Sequence, residues 1–484
     1  SSTLFPFFMK NIVKLYPFFV IFAINLHKKG SLMLKTIFRE YDIRGIYPTQ
    51  LNEQVVKTIG YLLGLKMKQR ACKNVSVGYD ARLSNKTLFA YLSSGLNKAG
   101  IKVYHLGLVP TPLGYFSMYE GMKFDANIMI TGSHNPKEYN GFKISINKES
   151  FFGKELLAFA DEVLENLNLD IQDDTSCEDY DILSVYVDFM LKQFKHLKNL
   201  DLKFAIDCAN GASFVVLKPL IEALNLKAKV LFAEPDGNFP NHEPDPTESK
   251  NLKPLQELLL KDKDMQIAFA FDGDADRIVV VGKNRAFHGD ELCYVFASAI
   301  EKPRILADIR SSKNLFDEVS KFGTILMSKA GHSNIKKKMK EENIDLAAEV
   351  SGHIFFKHRY FGFDDGIYAF LRALELLQQG RDIAAMIEAL PKLYTLDEIK
   401  IKSDDNLKFE LIEKFKTAIK NGALDEVRSL CEIDGLRIDF GCGWALFRAS
   451  NTSPYVVTRF EADSKERVEE IKNKTMKIFE DIMK

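Results

Sequence analysis

The amino-acid sequence predicts an α/β fold made of several domains with mainly parallel sheets. From about Met33 onward, short apolar runs typical of strands alternate with amphipathic stretches typical of helices. Three of the apolar runs, ANIMI, QIAFAF and DLAAEV, lead directly into polar loops. At 484 residues the chain is too long for a single hydrophobic core, and we expect about three to four domains.

The elements of the first part of the chain follow from their hydrophobic patterns. NVSVGYD is predicted to be a strand that ends in a turn, and residues 87–100 are predicted to be a helix closed by its glycine. Residues 126–130 form a predicted buried strand, followed by predicted helices at 153–167 and 185–197. The acidic, polar stretch between these two helices indicates a first domain boundary near residue 180.

Further along the chain, composition marks the remaining boundaries. The Pro- and Asp-rich run 234–250 is predicted to be a long surface loop, and PKLYTLDEI is the predicted hinge into a smaller last domain. The four predicted domains are residues 33–180, 181–286, 287–391 and 392–484.

Residues 1–32 are predicted to be an extension outside the fold. Their apolar run, LYPFFVIFAINL, is flanked by lysines. It could be part of a signal peptide, but no small-residue cleavage site follows it. It could also be a membrane anchor, but at about a dozen residues it is short for a membrane span.

The charge balance and the cysteines limit where this protein can be located and which partners it can bind. Lys+Arg and Asp+Glu both number 66, so no overall positive field favours nucleic acid or an anionic membrane. The six cysteines contain no CxxC pair, which favours a reduced cytoplasmic setting over a disulfide framework. We therefore expect a cytoplasmic protein that binds small molecules, with no nucleic-acid or membrane partner.

The loop TGSHNP, which follows the predicted strand at 126–130, presents a serine hydroxyl beside an imidazole and an amide. Gly, Ser, Asn and Pro are ordinary turn residues, so these residues alone fit a plain turn equally well. The alternative is that Ser133 is a nucleophile or carries a phosphoryl group.

The loop DGDADR places Asp272, Asp274 and Asp276 at alternate positions after a predicted strand. Carboxylates this close repel one another unless a cation neutralises them, and a divalent metal with oxygen ligands would do so. An EF-hand is excluded, because Arg277 and Lys283 occupy positions where that loop needs Gly and Glu. The remaining alternative to a metal site is a solvated acidic turn.

Two further loops carry groups suited to a phosphorylated sugar. EVSGH presents Glu349, Ser351 and His353, which can bind sugar hydroxyls and assist proton transfer. RASNTSP presents Arg448 with hydroxyl and amide donors, which suits a phosphate. Either loop alone could be an ordinary polar turn.

Taken together, these loops resemble those of the α-D-phosphohexomutase superfamily, and most closely its bacterial phosphomannomutase/phosphoglucomutase branch. The resemblance covers nearly the whole chain after Met33, with the motifs in the family's order. The matching segments are FREYDIRG, TGSHNP, DGDADR, KAGHS, EVSGH, RYFGFDDG and RASNTSP.

The resemblance implies three related mixed-sheet α/β domains and a C-terminal α+β domain like the TATA-box-binding protein, arranged around a central cleft. The implied activity is reversible interconversion of hexose 1-phosphate and hexose 6-phosphate through a phosphoserine enzyme and a 1,6-bisphosphate. It also implies Mg²⁺ as the metal, phosphosugars as partners, and a monomer or weak oligomer.

The resemblance implies roles for individual residues. The implied catalytic residues are Ser133, His134, Lys143, Arg277, His353 and Arg44. The implied substrate-binding residues are Tyr41, Arg310, His332, Glu349, Ser351, Arg448, Ser450, Asn451 and Thr452. The implied metal ligands are Ser133, Asp272, Asp274 and Asp276. The sequence does not choose the general base among Lys143, His134 and His353.

Two positions depart from the family pattern. Arg310 replaces a family lysine that contacts phosphate, which keeps the charge and changes the geometry. Tyr79 stands where the family commonly has arginine. One alternative function is a phosphoglucosamine mutase, which shares the phosphoserine, the metal site and the sugar-recognition loop. The other is an inactive phosphosugar-binding protein, which the intact Ser133 and aspartates disfavour.

Overall fold

The computed structural model describes residues 34–404, 407–450 and 454–484, so the prediction for the extension 1–32 lies outside the described residues. The helices, α1 to α14 in chain order, are Glu53–Gln69, Asn85–Lys98, Thr111–Phe116, Lys154–Glu165, Ile182–Phe194, Ser213–Leu224, Lys253–Lys261, Gly289–Ala297, Lys313–Val319, His332–Glu341, Gly366–Gln378, Ile383–Glu388, Leu407–Lys420 and Lys465–Met483. Short 3₁₀ helices lie at Lys195–Leu197 and Ser249–Leu252. None of the helices in this part of the chain combines the length and the hydrophobicity needed to cross a bilayer.

The strands form four sheets within the described ranges. The strands, β1 to β22 in chain order, are Ile43–Ile46, Asn74–Tyr79, Lys102–Leu108, Ala126–Ile130, Tyr139–Ile146, Glu149–Ser150, Glu178–Asp179, Lys203–Asp207, Lys227–Leu231, Ile267–Phe271, Ile278–Gly282, Ala286–Phe287, Arg304–Asp308, Thr324–Ser328, Leu346–Ala348, Ile354–Phe356, Tyr394–Thr395, Ile399–Lys402, Ser429–Cys431, Leu436–Asp439, Gly443–Ala449 and Tyr455–Ala462. The sheet orders are β1-β5-β4-β2-β3-β7 with β6 beside β5, β12-β11-β10-β8-β9, β14-β13-β15-β16, and β17-β22-β21-β20-β19 with β18 beside β22.

The first three sheets are mixed, as the family resemblance implied, whereas the hydrophobic pattern had suggested mainly parallel sheets; parallel pairs are in the majority only in the third. In each sheet the strand before the polar loop has a parallel neighbour on one side, pairing β4 with β2, β10 with β8, and β15 with β13. On the other side it has an antiparallel neighbour, β5, β11 or β16. A buried strand is apolar whichever way its neighbour runs, so the pattern does not reveal this direction.

This topology places the three polar loops at equivalent positions. Each loop connects a central strand to the antiparallel strand that follows it, at the carboxyl end of the central strand. In open α/β sheets this is the edge where ligands bind. The repeated strand-to-loop pattern of the sequence therefore reflects a repeated structural unit.

The fourth sheet is antiparallel throughout. Helices α13 and α14 pack on it through a separate core that contains Phe415, Phe447, Phe460 and Phe479. The α+β prediction for the last domain is confirmed. By contrast, one continuous core joins residues of the first three sheets, from Tyr104 to Ile387.

The last domain meets the third through buried polar contacts. Arg437 lies 3.8 Å from the centre of the Trp444 ring. Its Nη1 donates to the carbonyl oxygens of Ile309 at 2.6 Å and Ser311 at 2.8 Å. This arginine fixes the C-terminal sheet next to the end of β13.

Candidate active site

Ser133 lies in the turn between β4 and β5, with its side chain buried. Its backbone has φ +49°, a left-handed conformation that is unusual for a residue other than glycine. Its Oγ donates to Oδ2 of Asp272 at 2.9 Å and lies 3.2 Å from Nδ1 of His134. A strained conformation persists where the surroundings enforce it. The hydroxyl is thus held between an imidazole of its own loop and a carboxylate of the second sheet.

Arg82, which the sequence analysis did not select, holds the serine loop from inside. Its guanidinium is fully buried and donates to four carbonyl oxygens of the loop. The acceptors are Ser133 at 2.9 Å, Asn135 at 2.5 Å, Pro136 at 2.6 Å and Tyr139 at 2.8 Å. The position of Arg82 in the sequence could have indicated this role. Arg82 follows β2, and the parallel pairing of β2 with β4 brings the carboxyl ends of these two strands together.

Arg44, a predicted catalytic residue, supports the same loop from the first strand. Its Nη1 donates to the carbonyl oxygen of Gly132 at 2.7 Å and also contacts the side-chain oxygen of Asn135. Its Nη2 pairs with Asp42. Burial, followed by the charges of Arg277 and Arg44, lowers the pKa of His134 well below its ordinary value, so this imidazole is neutral.

The three aspartates lie together in the loop between β10 and β11. All three are completely buried, and one carboxylate oxygen from each lies within 4.8 Å of the others. Nζ of Lys143, on β5, is 2.7 Å from Oδ2 of Asp274 and also contacts Asp276. The Oδ1 atoms of Asp274 and Asp276 are buried without a hydrogen-bond partner among the described residues. Hard oxygen atoms in this arrangement fit a divalent cation.

The charges of this cluster are tightly linked. Burial, with Asp274 and Asp276 nearby, raises the pKa of Asp272 well above its ordinary value. Burial acts in the same direction on Asp274, but Lys143 outweighs it and the pKa of Asp274 is lowered. Burial likewise opposes the charge of Lys143, and the aspartates outweigh it, so the pKa of Lys143 is raised. Lys143 is therefore an ammonium ion here, which can bind an anion and gives up its proton only to a strongly basic oxygen.

Gly273 allows the serine loop and the aspartate loop to touch. A Cβ atom at this position would lie 2.6 Å from the carbonyl oxygen of Ser133, a distance that real Cβ contacts do not show. Any side chain here would therefore push the two loops apart.

We expect Gly273→Ala to lower kcat by about tenfold or more, because a small misplacement of reacting groups is costly in rate. Steady-state kinetics at saturating substrate would measure this. Gly380→Ala is the control, because the added Cβ meets no atom within 4 Å and its strain comes only from the backbone φ of +77°, at an exposed position outside the two loops. An unchanged kcat in Gly273→Ala would show that the approach of the two loops is not needed.

Arg277 and His353 join the second and third sheets. Nε of Arg277 donates to Nε2 of His353 at 2.9 Å, and the two backbones also form an isolated bridge. Arg277 lies 3.8 Å from Oδ2 of Asp272. Ser133, the aspartates, Lys143, Arg277 and His353 are thus linked by direct contacts, although they come from three different sheets.

Glu349 anchors a second group of predicted residues. Its Oε1 accepts the backbone N–H of Gly331 at 2.6 Å and lies 3.3 Å from Nη2 of Arg310. Arg310 is also held by two hydrogen bonds to Asp308, at 3.1 and 2.8 Å. Ser351 lies on the same loop as Glu349 and is partly exposed. A carboxylate, a guanidinium and a hydroxyl are therefore available together.

Tyr41 and His332 border the same region. The hydroxyl of Tyr41 donates to the carbonyl oxygen of Ala330 at 3.0 Å, and its ring meets His332 edge-on at 6.2 Å. The His332 ring stacks on His353, with centroids 5.7 Å apart. Burial, followed by Lys336, lowers the pKa of His332 well below its ordinary value, so it is a neutral donor or acceptor.

Arg448 reaches this group through Asp434. Nε of Arg448, near the end of β21, is 3.5 Å from Oδ2 of Asp434, and that oxygen accepts the N–H of Ala330 at 3.4 Å. Ser450 is buried and its N–H donates to Tyr455 at 2.9 Å. Asn451 and Thr452, the other predicted phosphate ligands, lie outside the described residues.

Three acidic residues of this region were missed by the sequence analysis. Asp308 holds Arg310, Asp434 lies beside Arg448, and Asp364 lies beside His353. Asp308 precedes Arg310 at the end of a strand, which was a usable signal. Asp434 and Asp364 come close to their partners only after folding.

Four domain families match consecutive parts of the chain. They are described as phosphoglucomutase/phosphomannomutase alpha/beta/alpha domains I, II and III and the C-terminal domain, and they match residues 35–163, 184–286, 288–394 and 398–478.

Similar proteins cover almost the full length. A phosphomannomutase/phosphoglucomutase of Pseudomonas syringae pv. tomato is 40% identical over 456 residues, covering 91% of this chain and 94% of that protein. A phosphoglucomutase of Neisseria gonorrhoeae is 35% identical over 453 residues, covering 92% and 97%. The crystal structure of a phosphoglucomutase/phosphomannomutase family protein from Burkholderia thailandensis aligns with a TM-score of 0.84 at 34% identity, covering 93% of this chain and 98% of that one.

Proposed function

This chain belongs to the phosphoglucomutase/phosphomannomutase family, and we propose that it interconverts the 1- and 6-phosphates of mannose and glucose through a phosphoserine at Ser133. The observation that carries the proposal is the placement of Ser133. Its backbone is strained, and its buried hydroxyl lies 2.9 Å from a carboxylate of the three-aspartate cluster. A plain turn would need neither the strain nor the carboxylate.

The proposed metal is Mg²⁺, held by Asp272, Asp274 and Asp276 together with an oxygen of the phosphorylated serine. The unpartnered buried oxygens of Asp274 and Asp276 support this assignment. When bound, the ion would supply positive charge beside the phosphoryl group. Arg277, at the end of the same loop as the aspartates, adds a second positive charge.

In the proposed reaction, the free hydroxyl of a bound hexose monophosphate attacks the phosphorus on Ser133. The bond from phosphorus to the serine oxygen breaks as the bond to the sugar oxygen forms, giving a hexose 1,6-bisphosphate. The proton of the attacking hydroxyl moves to a base, and the released serine oxygen takes a proton from an acid. The bisphosphate then turns around, and its other phosphoryl group returns to Ser133.

The remaining predicted residues suit substrate binding in both orientations. Glu349 and Ser351 offer hydrogen bonds to sugar hydroxyls. Arg310, Tyr41 and His332 border the same region and can contact the sugar or a phosphate. The phosphate that is not reacting would bind the C-terminal loop, which comprises Arg448, Ser450, Asn451 and Thr452. The proposed location is the cytoplasm.

The alternative function is that of a phosphoglucosamine mutase. The relatives at 34–40% identity do not favour it, because they are named for phosphomannomutase and phosphoglucomutase activity. A coupled assay with the 1-phosphates of mannose, glucose and glucosamine tests the choice. We expect turnover of the mannose and glucose phosphates. Turnover of glucosamine phosphate alone would favour the alternative, and turnover of none would refute a mutase function.

Arg448→Ala should weaken the binding of both the 1-phosphate and the 6-phosphate by roughly ten- to a hundred-fold. A charged hydrogen bond to phosphate contributes about 1.5–3 kcal/mol, and one anchor must serve both orientations. The measurement is KM for both isomers, together with the release of bisphosphate, which should increase.

Arg467→Ala is the control for Arg448→Ala, because Arg467 lies in the same domain with its side chain 56% exposed and paired with Asp463. It should leave both KM values unchanged. An effect of Arg448→Ala on one isomer alone would show that the arginine serves one orientation rather than both.

A further inference from the structure

Thr111 contacts one of the proposed metal ligands and has no role in the proposed function so far. It begins α3, the helix that follows β3 of the first sheet, and it is completely buried. Its Oγ1 donates to Oδ2 of Asp274 at 2.6 Å. Its backbone N–H donates to the carbonyl oxygen of the same aspartate at 2.9 Å. Thr111 therefore holds Asp274 at two points, one on the backbone and one on the carboxylate.

The local sequence prepares Thr111 for this contact. It stands between two prolines, Pro110 with φ −67° and ψ 154° and Pro112 in the first turn of α3. Proline restricts the backbone of its own position and of the residue before it. The N–H of a residue at the start of a helix has no partner within that helix, and here it finds one in Asp274. The hydroxyl is thus presented to the carboxylate from a restrained turn.

The two carboxylate oxygens of Asp274 have different surroundings. Oδ2 accepts hydrogen bonds from Thr111 and from Nζ of Lys143, the latter at 2.7 Å. Oδ1 is buried and has no hydrogen-bond partner among the described residues. A buried carboxylate oxygen is costly unless a donor or a cation is beside it. Oδ1 is therefore the oxygen of Asp274 that is left for the metal.

Lys143 alone does not define this orientation. Its Nζ contacts Oδ2 of Asp276 as well as Oδ2 of Asp274, so it bridges the two carboxylates. The ammonium group also sits at the end of a flexible four-carbon chain. The hydroxyl of Thr111 is carried on a short β-branched side chain with restricted rotation. Thr111 is consequently the more rigid of the two partners of Oδ2.

We propose that Thr111 is a positioning residue that turns Oδ1 of Asp274 toward the proposed Mg²⁺. This inference rests on the proposed function, which places the metal at the three aspartates. Hydrogen-bond partners of metal ligands fix the orientation of those ligands and thereby set the affinity for the ion. Because Thr111 belongs to the first sheet, it also ties this ligand to the sheet that carries Ser133.

Thr111→Val tests the inference, because valine keeps the branched shape and the backbone N–H and removes only the hydroxyl. We expect the affinity for Mn²⁺ to fall about tenfold or more, as for other partners of metal ligands. Chelator-treated protein is titrated with Mn²⁺, and electron paramagnetic resonance measures the free ion. Variants are compared at equal phosphorylation of Ser133, checked by intact mass, and with native circular dichroism. Thr111→Ala, which also lacks the hydroxyl, should show the same loss.

Two variants control for the substitution. Thr111→Ser restores a hydroxyl at the same position and should bind Mn²⁺ within about threefold of wild type. Thr475→Val is the matched control elsewhere in the chain. Thr475 is also completely buried, but its hydroxyl donates to the carbonyl oxygen of Ile471 at 2.7 Å. Its replacement should leave the affinity unchanged.

A double variant shows whether Thr111 acts through Asp274. Asp274→Asn already weakens this ligand, so adding Thr111→Val should change the Mn²⁺ affinity by no more than about twofold. A further loss as large as that of Thr111→Val alone would mean that the two residues act independently. That result would overturn the positioning role.

The remaining outcomes separate this inference from the proposed function. Wild-type Mn²⁺ affinity in both Thr111→Val and Thr111→Ala would overturn the role of Thr111 and leave the metal site in place. A loss in Thr111→Ser as large as that in Thr111→Val would also overturn it, because the hydroxyl would then not be the cause. A wild-type protein that binds no Mn²⁺ would refute the metal assignment itself and this inference with it.

Discussion

Ser133→Ala should reduce mutase turnover by about a thousand-fold or more, because the other hydroxyl of this loop, on Thr131, donates to Asp80 and does not face the aspartate cluster. Intact-mass analysis of the wild-type protein should show a fraction heavier by one phosphoryl group. Peptide mapping should place the added mass on Ser133. The variant should lack it, since the loop offers no other hydroxyl at the position that faces Asp272.

The control for Ser133→Ala is Ser145→Ala. Ser145 is another buried serine of the same β4–β5 hairpin, on β5 away from the turn. Its replacement should leave both the added mass and the turnover in place. Full activity of Ser133→Ala, or a phosphoryl group that maps elsewhere, would exclude the phosphoserine mechanism.

Removal of the metal should abolish turnover without unfolding the protein. The three aspartates are buried with Lys143 and Arg277 close by, and these cations offset part of their repulsion. Treatment with a chelator should therefore stop the reaction while the far-UV circular dichroism stays native. Added Mg²⁺ should restore the rate. An undiminished rate in excess chelator would reject the metal assignment.

Asp274→Asn should weaken metal affinity on the order of tenfold or more, since affinity depends on the number of charged oxygen ligands. Titration of the chelator-treated protein with Mn²⁺, followed by electron paramagnetic resonance, measures this independently of activity. Asp264→Asn is the control, because Asp264 is an exposed acid of the same domain that pairs with Lys203. Equal affinity in both variants would show that Asp274 is not a ligand.

Several features of the fold and the site were readable in the sequence. Alternation of apolar and amphipathic segments predicted the α/β class, and helices predicted at 87–100, 153–167 and 185–197 are present with small shifts of their ends. The alternate spacing of the aspartates predicted a cluster. The domain boundaries and the roles of the site residues stay predictions.

The sequence alone was sufficient wherever the information is local. A strand, the loop after it and the residue types in that loop lie within a few positions of each other, so pattern and composition reveal them. The direction of the neighbouring strand and the bonding of each side chain are not local. Ser133 meets Asp272 across 139 positions, and Arg277 meets His353 across 76.

Tertiary structure therefore decided how the loops work together. It placed the carbonyl oxygens of the serine loop around Arg82, and it brought Gly273 against Ser133. It also brought Asp364 to within 3.1 Å of His353. The physical reason is the same in each case. A buried donor, acceptor or charge must find a partner, and which partner it finds is decided by how the sheets pack, not by spacing along the chain.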